Sequence, residues 1–283
     1  MQGKESNIIR VAILDLYNNE PNEGMRGILS LLERQAVPAP FTLEYKRFDV
    51  RFKDEVPDDS FDIYISSGGP GSPLEEPGAQ WEKDYFRLID RLWEINKEDR
   101  SSKKFVFFIC HSFQLMCRHL ELAEVTKRHS TAFGIFPVHK LEAGFQEPCF
   151  SAIHDPFYAV DSRDWQVVQP DRKKMQRTGA ELLAIEKERS HVPYERAVMG
   201  IRFSPEMIGT QFHPEADPLG MLHYLLRKDK KEIIVRHHGQ EKYDEMLLHL
   251  NDPDKISLTQ SGIIPAFLTN AIRQTIRLAG LTV

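Results

Sequence analysis

Cys110 is the residue whose setting in the sequence most favours covalent chemistry. It follows an apolar run at residues 105–109 and precedes a segment with helical periodicity, residues 112–120. A nucleophile on a sharp turn from strand to helix is exposed above the sheet, and the helix N-terminus favours the thiolate. The backbone N–H of His111 would point at a developing oxyanion. The alternative is a buried structural cysteine, the commoner fate of a cysteine in an apolar run.

A second candidate segment is Gln211-Phe212-His213-Pro214-Glu215. His213 ends a predicted strand and could deprotonate Cys110. Glu215, two residues further on, could orient His213 and stabilise its charged form. Taken alone, the segment is also compatible with an ordinary turn that carries a surface glutamate.

The third candidate is the glycine-rich loop at residues 66–73, which contains Gly68 and Gly69. Glycines let the backbone approach a ligand closely, and backbone N–H groups here could complete an oxyanion hole. The sequence is not a phosphate-binding loop, because no Gly-Lys-Ser/Thr follows. The alternative is a mobile connection rich in glycine and proline.

The elements around these candidates alternate between strand and helix. The strands are predicted at residues 8–16, 41–48, 61–66 and 105–109, and the helices at 25–35, 79–96 and 112–120. This alternation predicts an α/β fold, flavodoxin-like, with a doubly wound, mainly parallel sheet and helices on both faces. Ligands of such sheets bind at the carboxyl ends of the strands, where both Cys110 and the glycine-rich loop fall.

The second half of the chain has a different pattern. Short β-like runs at residues 135–141, 165–168, 182–186, 198–203 and 208–212 predict further antiparallel strands along one side of the sheet. A helix at 219–231 should close a domain of residues 1–231. Residues 232–283 are predicted as a helical C-terminal extension packed on the core, because residues 262–278 have the apolar periodicity of a helix.

Together the three segments resemble the class I glutamine amidotransferase family over roughly residues 11–226. In that family a cysteine attacks the side-chain amide of glutamine, ammonia leaves, and water releases glutamate from a thioester. The resemblance implies Cys110 as nucleophile, His213 as base, Glu215 as its partner, and Gly69 and His111 as oxyanion donors. It also implies substrate contacts from Gly68, Gln114, Ser162 and Arg163.

The sequence departs from the family at the turn around Cys110. The family pattern Gly-x-Cys-x-Gly-x-Gln becomes Phe108-Ile109-Cys110-His111-Ser112-Phe113-Gln114. This variant is similar to that of homoserine O-acyltransferases, which share the fold and the triad. That second resemblance would make Arg227 a ligand of the homoserine carboxylate, although a surface helix arginine is an equal alternative. Thr131 stands where those enzymes place a lysine.

Composition excludes several function classes. The net charge of −5 argues against a general nucleic-acid binder. Three cysteines without metal-ligand spacing argue against a disulfide framework and a metal site. The N-terminus lacks a signal core, and no apolar stretch is long enough to span a membrane. We therefore expect a cytoplasmic protein with no metal or cofactor.

The resulting prediction is a stand-alone glutaminase-type domain that acts on glutamine or another small amino-acid substrate. Ammonia would go to a synthase partner or to a bound acceptor. Two alternatives remain: acyl transfer to an amino-acid hydroxyl through an acyl-Cys110, and a catalytically inactive binding module.

Overall fold

The architecture is taken from a computed structural model that describes residues 7–98, 102–189 and 193–280. The strands in these ranges are β1 (Ile8–Asp15), β2 (Thr42–Asp49), β3 (Ile63–Ser66), β4 (Phe105–Ile109), β5 (Glu124–Lys140), β6 (Phe157–Val168), β7 (Glu181–Glu186), β8 (Val198–Ser204) and β9 (Met207–Thr210). The helices are α1 (Glu23–Arg34), α2 (Val50–Lys53), α3 (Gln80–Glu98), α4 (His111–His119), α5 (Glu142–Gln146), α6 (Arg172–Thr178), α7 (Pro218–Leu226), α8 (Lys228–His238), α9 (Gln240–Leu250) and α10 (Leu258–Leu278).

Within the described residues, all nine strands form one sheet in the order β2-β1-β3-β4-β9-β8-β7-β5-β6. The neighbours from β2 to β9 pair in parallel. Strands β3 and β4 are buried along their whole length, because α1 and α10 cover one face of the sheet and α3 and α4 the other. The predicted fold class, a mainly parallel α/β sheet with helices on both faces and a helical C-terminal extension, is confirmed.

The remaining strands are antiparallel, from β9 through β8 and β7 to β5 and β6. Strands β5 and β6 are much longer than the predicted runs at 135–141 and 165–168, so those bounds were wrong. The two strands form a long antiparallel pair with an irregularity between Lys127 and Ala132. Many side chains in the first half of β5 are exposed and polar, so hydrophobic periodicity does not reveal this arm.

The predicted single helix at 219–231 is two helices, because the chain leaves helical geometry at Arg227 (φ −62°, ψ 127°). Helices α7, α8 and α9 pack on β5 and β6 around a small apolar cluster that includes Val160, Met221 and Leu225. Helix α10 contributes Ile264, Phe267 and neighbouring side chains to the main core. No helix in the described ranges has the length and apolarity needed to cross a membrane.

Candidate active site

Cys110 occupies the turn between β4 and α4 in a backbone conformation that side chains rarely adopt. Its φ is 47° and its ψ is −94°, outside the regions favoured by L-residues. The Cys110 N–H donates to the Thr210 carbonyl at 2.8 Å, which ties the turn to β9. The Gln211 Nε2 donates to the Cys110 Sγ at 3.6 Å. The strained turn therefore presents the thiol at the carboxyl end of the sheet, as the sequence predicted.

Ser112 supports this turn through its hydroxyl. The Ser112 Oγ accepts from the Ile109 N–H at 2.8 Å and donates to the Ser66 carbonyl, also at 2.8 Å. All three residues are buried, so each hydrogen bond satisfies a backbone group that water cannot reach. Ser112, which replaces the family's glycine, thus links the start of α4 to β3 and β4 by hydrogen bonds.

Phe108 replaces the other glycine of the family pattern, and its ring is fully buried in the core rather than in the site. It packs edge-on against Phe203, with ring centroids 5.7 Å apart. Room for it is provided by Gly209, its register partner on β9. A Cβ on Gly209 would lie 3.1 Å from the Phe108 Cβ and 2.9 Å from the Phe113 ring. The small residue that the family has in β4 is thus found in this chain at the paired position of β9.

His213 and Glu215 form a hydrogen-bonded pair next to Cys110. The His213 Nδ1 lies 2.8 Å from the Glu215 Oε1, and the His213 N–H donates to the Val160 carbonyl at 2.9 Å. Burial alone would lower the pKa of His213, but the Glu215 carboxylate and the Cys110 thiol raise it well above its usual value. Glu215 is fully buried, so water does not screen the interaction of its carboxylate with His213.

Close packing around Cys110, His213 and Glu215 involves Gly68, which the sequence analysis named, and Tyr17 and Gly24, which it did not. A Cβ on Gly68 would lie 3.0 Å from His213 Cε1 and 3.7 Å from the Cys110 Cβ. Tyr17 lies next to Glu215. Burial, together with the Glu215 charge, raises the pKa of the Tyr17 hydroxyl well above the usual value. A Cβ on Gly24 would lie 2.0 Å from the Tyr17 hydroxyl. The contacts of Tyr17 and Gly24 form only in the tertiary structure, so no local sequence pattern reveals them.

The glycine-rich loop is held against the end of β1. A Cβ on Gly69 would lie 2.4 Å from the Leu16 carbonyl oxygen, so only glycine fits. Arg51 donates to the Pro70 carbonyl at 2.8 Å and fixes the next peptide. His111 begins α4, where backbone N–H groups have no intrahelical partner. Burial, with the charges of Arg51 and Arg118, lowers the pKa of the His111 ring to about 3, so that ring stays neutral.

A cavity of about 770 Å³ opens above Cys110. Most of the residues predicted for the site line it: Gly69, Cys110, His111, Gln114, Ser162, Arg163, His213, Glu215 and Arg227. Gly68 is outside this lining, although it packs against His213 and Cys110. Gln114 is held in place by donating from its Nε2 to the Trp165 carbonyl and to the Gln211 Oε1, each at 3.1 Å.

The two arginines predicted to bind substrate have other partners. The guanidinium of Arg163 is buried and donates to both carboxylate oxygens of Asp161, at 2.8 and 3.0 Å, and lies 3.5 Å from Glu186. The guanidinium is therefore occupied by these carboxylates. A ligand in the cavity would contact the backbone of Arg163 instead. Arg227 lies at the outer rim of the cavity, half exposed, and pairs with Asp229 at 2.9 Å.

The described part of the chain was also compared with the requirements of a metal site. Among the described residues, no three His, Cys, Asp or Glu side chains lie close enough to hold a metal ion.

A buried acid–imidazole pair beside a cysteine on a strained strand-to-helix turn defines a class of cysteine-dependent α/β enzymes. The sequence model of the glutamine amidotransferase class-I family matches residues 25–237. The chain belongs to this family.

Solved structures show the same fold. A glutamine amidotransferase from Thermotoga maritima superimposes with a TM-score of 0.63 at 17% identity, covering 93% of this chain and 98% of that one. The glutaminase domain of Trypanosoma brucei CTPS, solved with bound acivicin, gives a TM-score of 0.55 at 12% identity, covering 97% and 95%. No curated protein sequence matches the chain significantly.

Proposed function

We propose that this protein hydrolyses the side-chain amide of glutamine through a thioester on Cys110. The observation that carries the proposal is the placement of the Cys110 thiol beside the His213–Glu215 pair at the floor of the cavity. Membership of the class I glutamine amidotransferase family supports the same substrate.

The reaction begins with attack of the Cys110 thiolate on the amide carbon. The oxyanion that forms is stabilised by the N–H groups of Gly69 and His111, which are fixed before substrate arrives. His213 gives its proton to the leaving nitrogen, the C–N bond breaks, and ammonia departs. His213 then takes a proton from water, which attacks the thioester carbon and releases glutamate.

Glu215 keeps His213 in the orientation and tautomer that this sequence of proton transfers needs. Its Oε1 accepts from the Nδ1 of His213, so the Nε2 of that ring is directed towards the reacting atoms. The raised pKa of His213 favours a protonated ring next to Cys110 before substrate binds. Gln114 and the backbone of residues 162–165 hold the main chain of glutamine.

Ammonia released at Cys110 is used by an acceptor, either bound in the outer part of the same cavity or held by a synthase partner. Lys230 in the cavity lining would attract an anionic group of such an acceptor, whereas Arg227 is already paired with Asp229.

The test is glutamate release from glutamine by the purified protein, compared with Cys110→Ala and His213→Ala. Cys117→Ala is the matched control, because this thiol is buried on α4 away from the cavity. We expect turnover in the wild type and the control, and none above background in Cys110→Ala. A parallel assay with homoserine and an acyl-coenzyme A tests acyl transfer. Glutaminase activity retained in Cys110→Ala, or acyl transfer without glutaminase activity, would overturn the proposal.

A further inference from the structure

Gln211 lies two positions before His213, yet it takes no part in the steps described for the triad. Its side chain is fully buried and is outside the lining of the cavity, so a bound substrate does not reach its amide. Its backbone N–H donates to the Met199 carbonyl at 3.0 Å, which holds it against β8. A buried side-chain amide needs polar partners, and the partners of Gln211 indicate what it does.

One partner of the Gln211 amide is the sulfur of Cys110. The Gln211 Nε2 lies 3.6 Å from the Cys110 Sγ. A neutral thiol is a weak acceptor of hydrogen bonds, whereas a hydrogen bond to an ionised acceptor is about twice as strong as one between neutral groups. The contact therefore stabilises the sulfur more as a thiolate than as a thiol.

A backbone carbonyl sets the direction of this amide. The Trp165 carbonyl can only accept, so the atom of Gln114 that lies 3.1 Å from it must be the Nε2. The same Nε2 lies 3.1 Å from the Gln211 side chain and needs an acceptor there, which is the Gln211 Oε1. Because a primary amide has one oxygen and one nitrogen, the N–H groups of Gln211 are left facing Cys110. The opposite orientation would place an oxygen against the thiolate.

The chain after β9 contacts Cys110 in three ways. The Thr210 carbonyl accepts from the Cys110 N–H at 2.8 Å, the Gln211 amide faces the sulfur, and the His213 ring lies next to the same residue. His213 gains and loses a proton during the reaction, whereas a side-chain amide keeps its protons throughout. Gln211 is thus a donor whose charge and position stay the same while His213 changes its protonation state.

From this arrangement we infer that Gln211 is a further catalytic residue, whose amide stabilises the Cys110 thiolate before it attacks. Gln114 and the Trp165 carbonyl act through Gln211 as positioning groups that direct the amide towards the sulfur. The inference rests on the proposed Cys110 chemistry and adds a thiolate donor to it. Gln211 transfers no proton, so the atoms and protons of the reaction balance as described above.

The experiment follows alkylation of Cys110 by iodoacetamide as a function of pH, in the full chain without substrate, with the modified residue identified by mass spectrometry. Gln211→Met keeps the approximate size of the side chain and removes the donor. Loss of a hydrogen bond to a charged group should slow alkylation at neutral pH about tenfold and move the profile to higher pH. Gln260→Met is the matched control, because Gln260 is also buried but lies on α10, outside the cavity lining. Its profile should coincide with that of the wild type.

A second variant, Gln114→Met, tests the direction of the amide. Without the Gln114 Nε2 the Gln211 amide is free to turn, so alkylation should slow in this variant as well. Because Gln114 acts on the sulfur only through Gln211, the double variant should react at the rate of Gln211→Met alone. Additive losses would remove Gln114 from the arrangement. If Gln211→Met does not fold, an unchanged profile in Gln114→Met overturns the inference.

The remaining outcomes separate this inference from the proposed function. A wild-type alkylation profile in Gln211→Met would overturn the inference and leave the proposed glutaminase in place. A profile that depends on Gln211, in a wild-type protein that releases no glutamate from glutamine, would support the inference and overturn the proposed function. If iodoacetamide does not alkylate Cys110 of the wild type at any pH, both proposals fail.

Discussion

Replacing Glu215 with glutamine tests the electrostatic basis of the site. Glutamine keeps the shape of the side chain and an oxygen for the 2.8 Å contact with His213 Nδ1, but it removes a charge that has no solvent exposure. Loss of an opposite charge at hydrogen-bond distance disfavours the charged imidazolium. The pKa of His213, which Glu215 raises, should therefore fall in Glu215→Gln.

The expected kinetic effect follows from this shift. A hydrogen bond to a charged partner contributes about 1.5–3 kcal/mol. If all of this is lost from the transition state in the variant, kcat/KM falls about ten- to hundredfold. Because the imidazolium loses its proton at lower pH without Glu215, the alkaline limb of the pH profile should move to lower pH.

The measurement is kcat/KM for glutamine as a function of pH, together with the rate at which iodoacetamide alkylates Cys110. Asp217→Asn is the matched control, because this carboxylate is close in sequence but pairs with Arg26 at 2.6 Å. Its alkaline limb should stay in place. If the limb also stays in place in Glu215→Gln, then Glu215 does not set the charge state of the Cys110–His213 pair.

Three further perturbations have outcomes that the structure specifies. Gly69→Ala should lower kcat about 10²–10³-fold by displacing one oxyanion donor, because its Cβ would meet the Leu16 carbonyl at 2.4 Å. Gly200→Ala, with only ordinary contacts from 3.5 Å, should retain activity, and equal losses in both would contradict this role. Ser112→Ala should lower the free energy of unfolding in urea by about 2–4 kcal/mol, since two buried backbone groups lose their partner; a loss below about 1 kcal/mol would argue against it. Burial would raise the pKa of Glu186, but its arginine neighbours hold that pKa below the usual value. The stabilisation that the Glu186 carboxylate provides is therefore present above pH 4.5 and is lost as the pH falls through the lowered pKa. Glu186→Gln should reduce the acid-induced fall in Tm, and an identical fall would refute this contribution.

The elements that the sequence predicted best are those whose signal is local. The apolar run of β4 and the glycines at 68–69 determine their own conformation, so Cys110 and the loop were placed correctly at the carboxyl ends of strands. The parallel half of the sheet follows from buried strands alternating with amphipathic helices. These features need no knowledge of distant contacts.

Features that depend on distant partners were not predicted. Tyr17 has no pattern that marks it as a neighbour of Glu215, because the two are brought together only when α1 packs against the segment after β9. Arg163 was predicted to contact substrate from its position along the chain, but the sequence does not show that its guanidinium is turned towards Asp161 and Glu186 within the sheet. Helix α7 ends early at Arg227, although the charged residues that follow are compatible with a continuous helix.

The pairing of Phe108 with Gly209 has a consequence for how such sites are recognised and how they diverge. The requirement for a small residue beneath α4 is met jointly by two strands that are adjacent in space but about a hundred positions apart along the chain. A side chain at Gly209 would meet Phe113 at 2.9 Å and Phe108 and Phe203 at 3.1 Å, so a change at Gly209 requires these aromatic side chains to shift or to change with it. A search for consecutive motif letters overlooks such a turn, whereas a search over register-paired positions of neighbouring strands would find it.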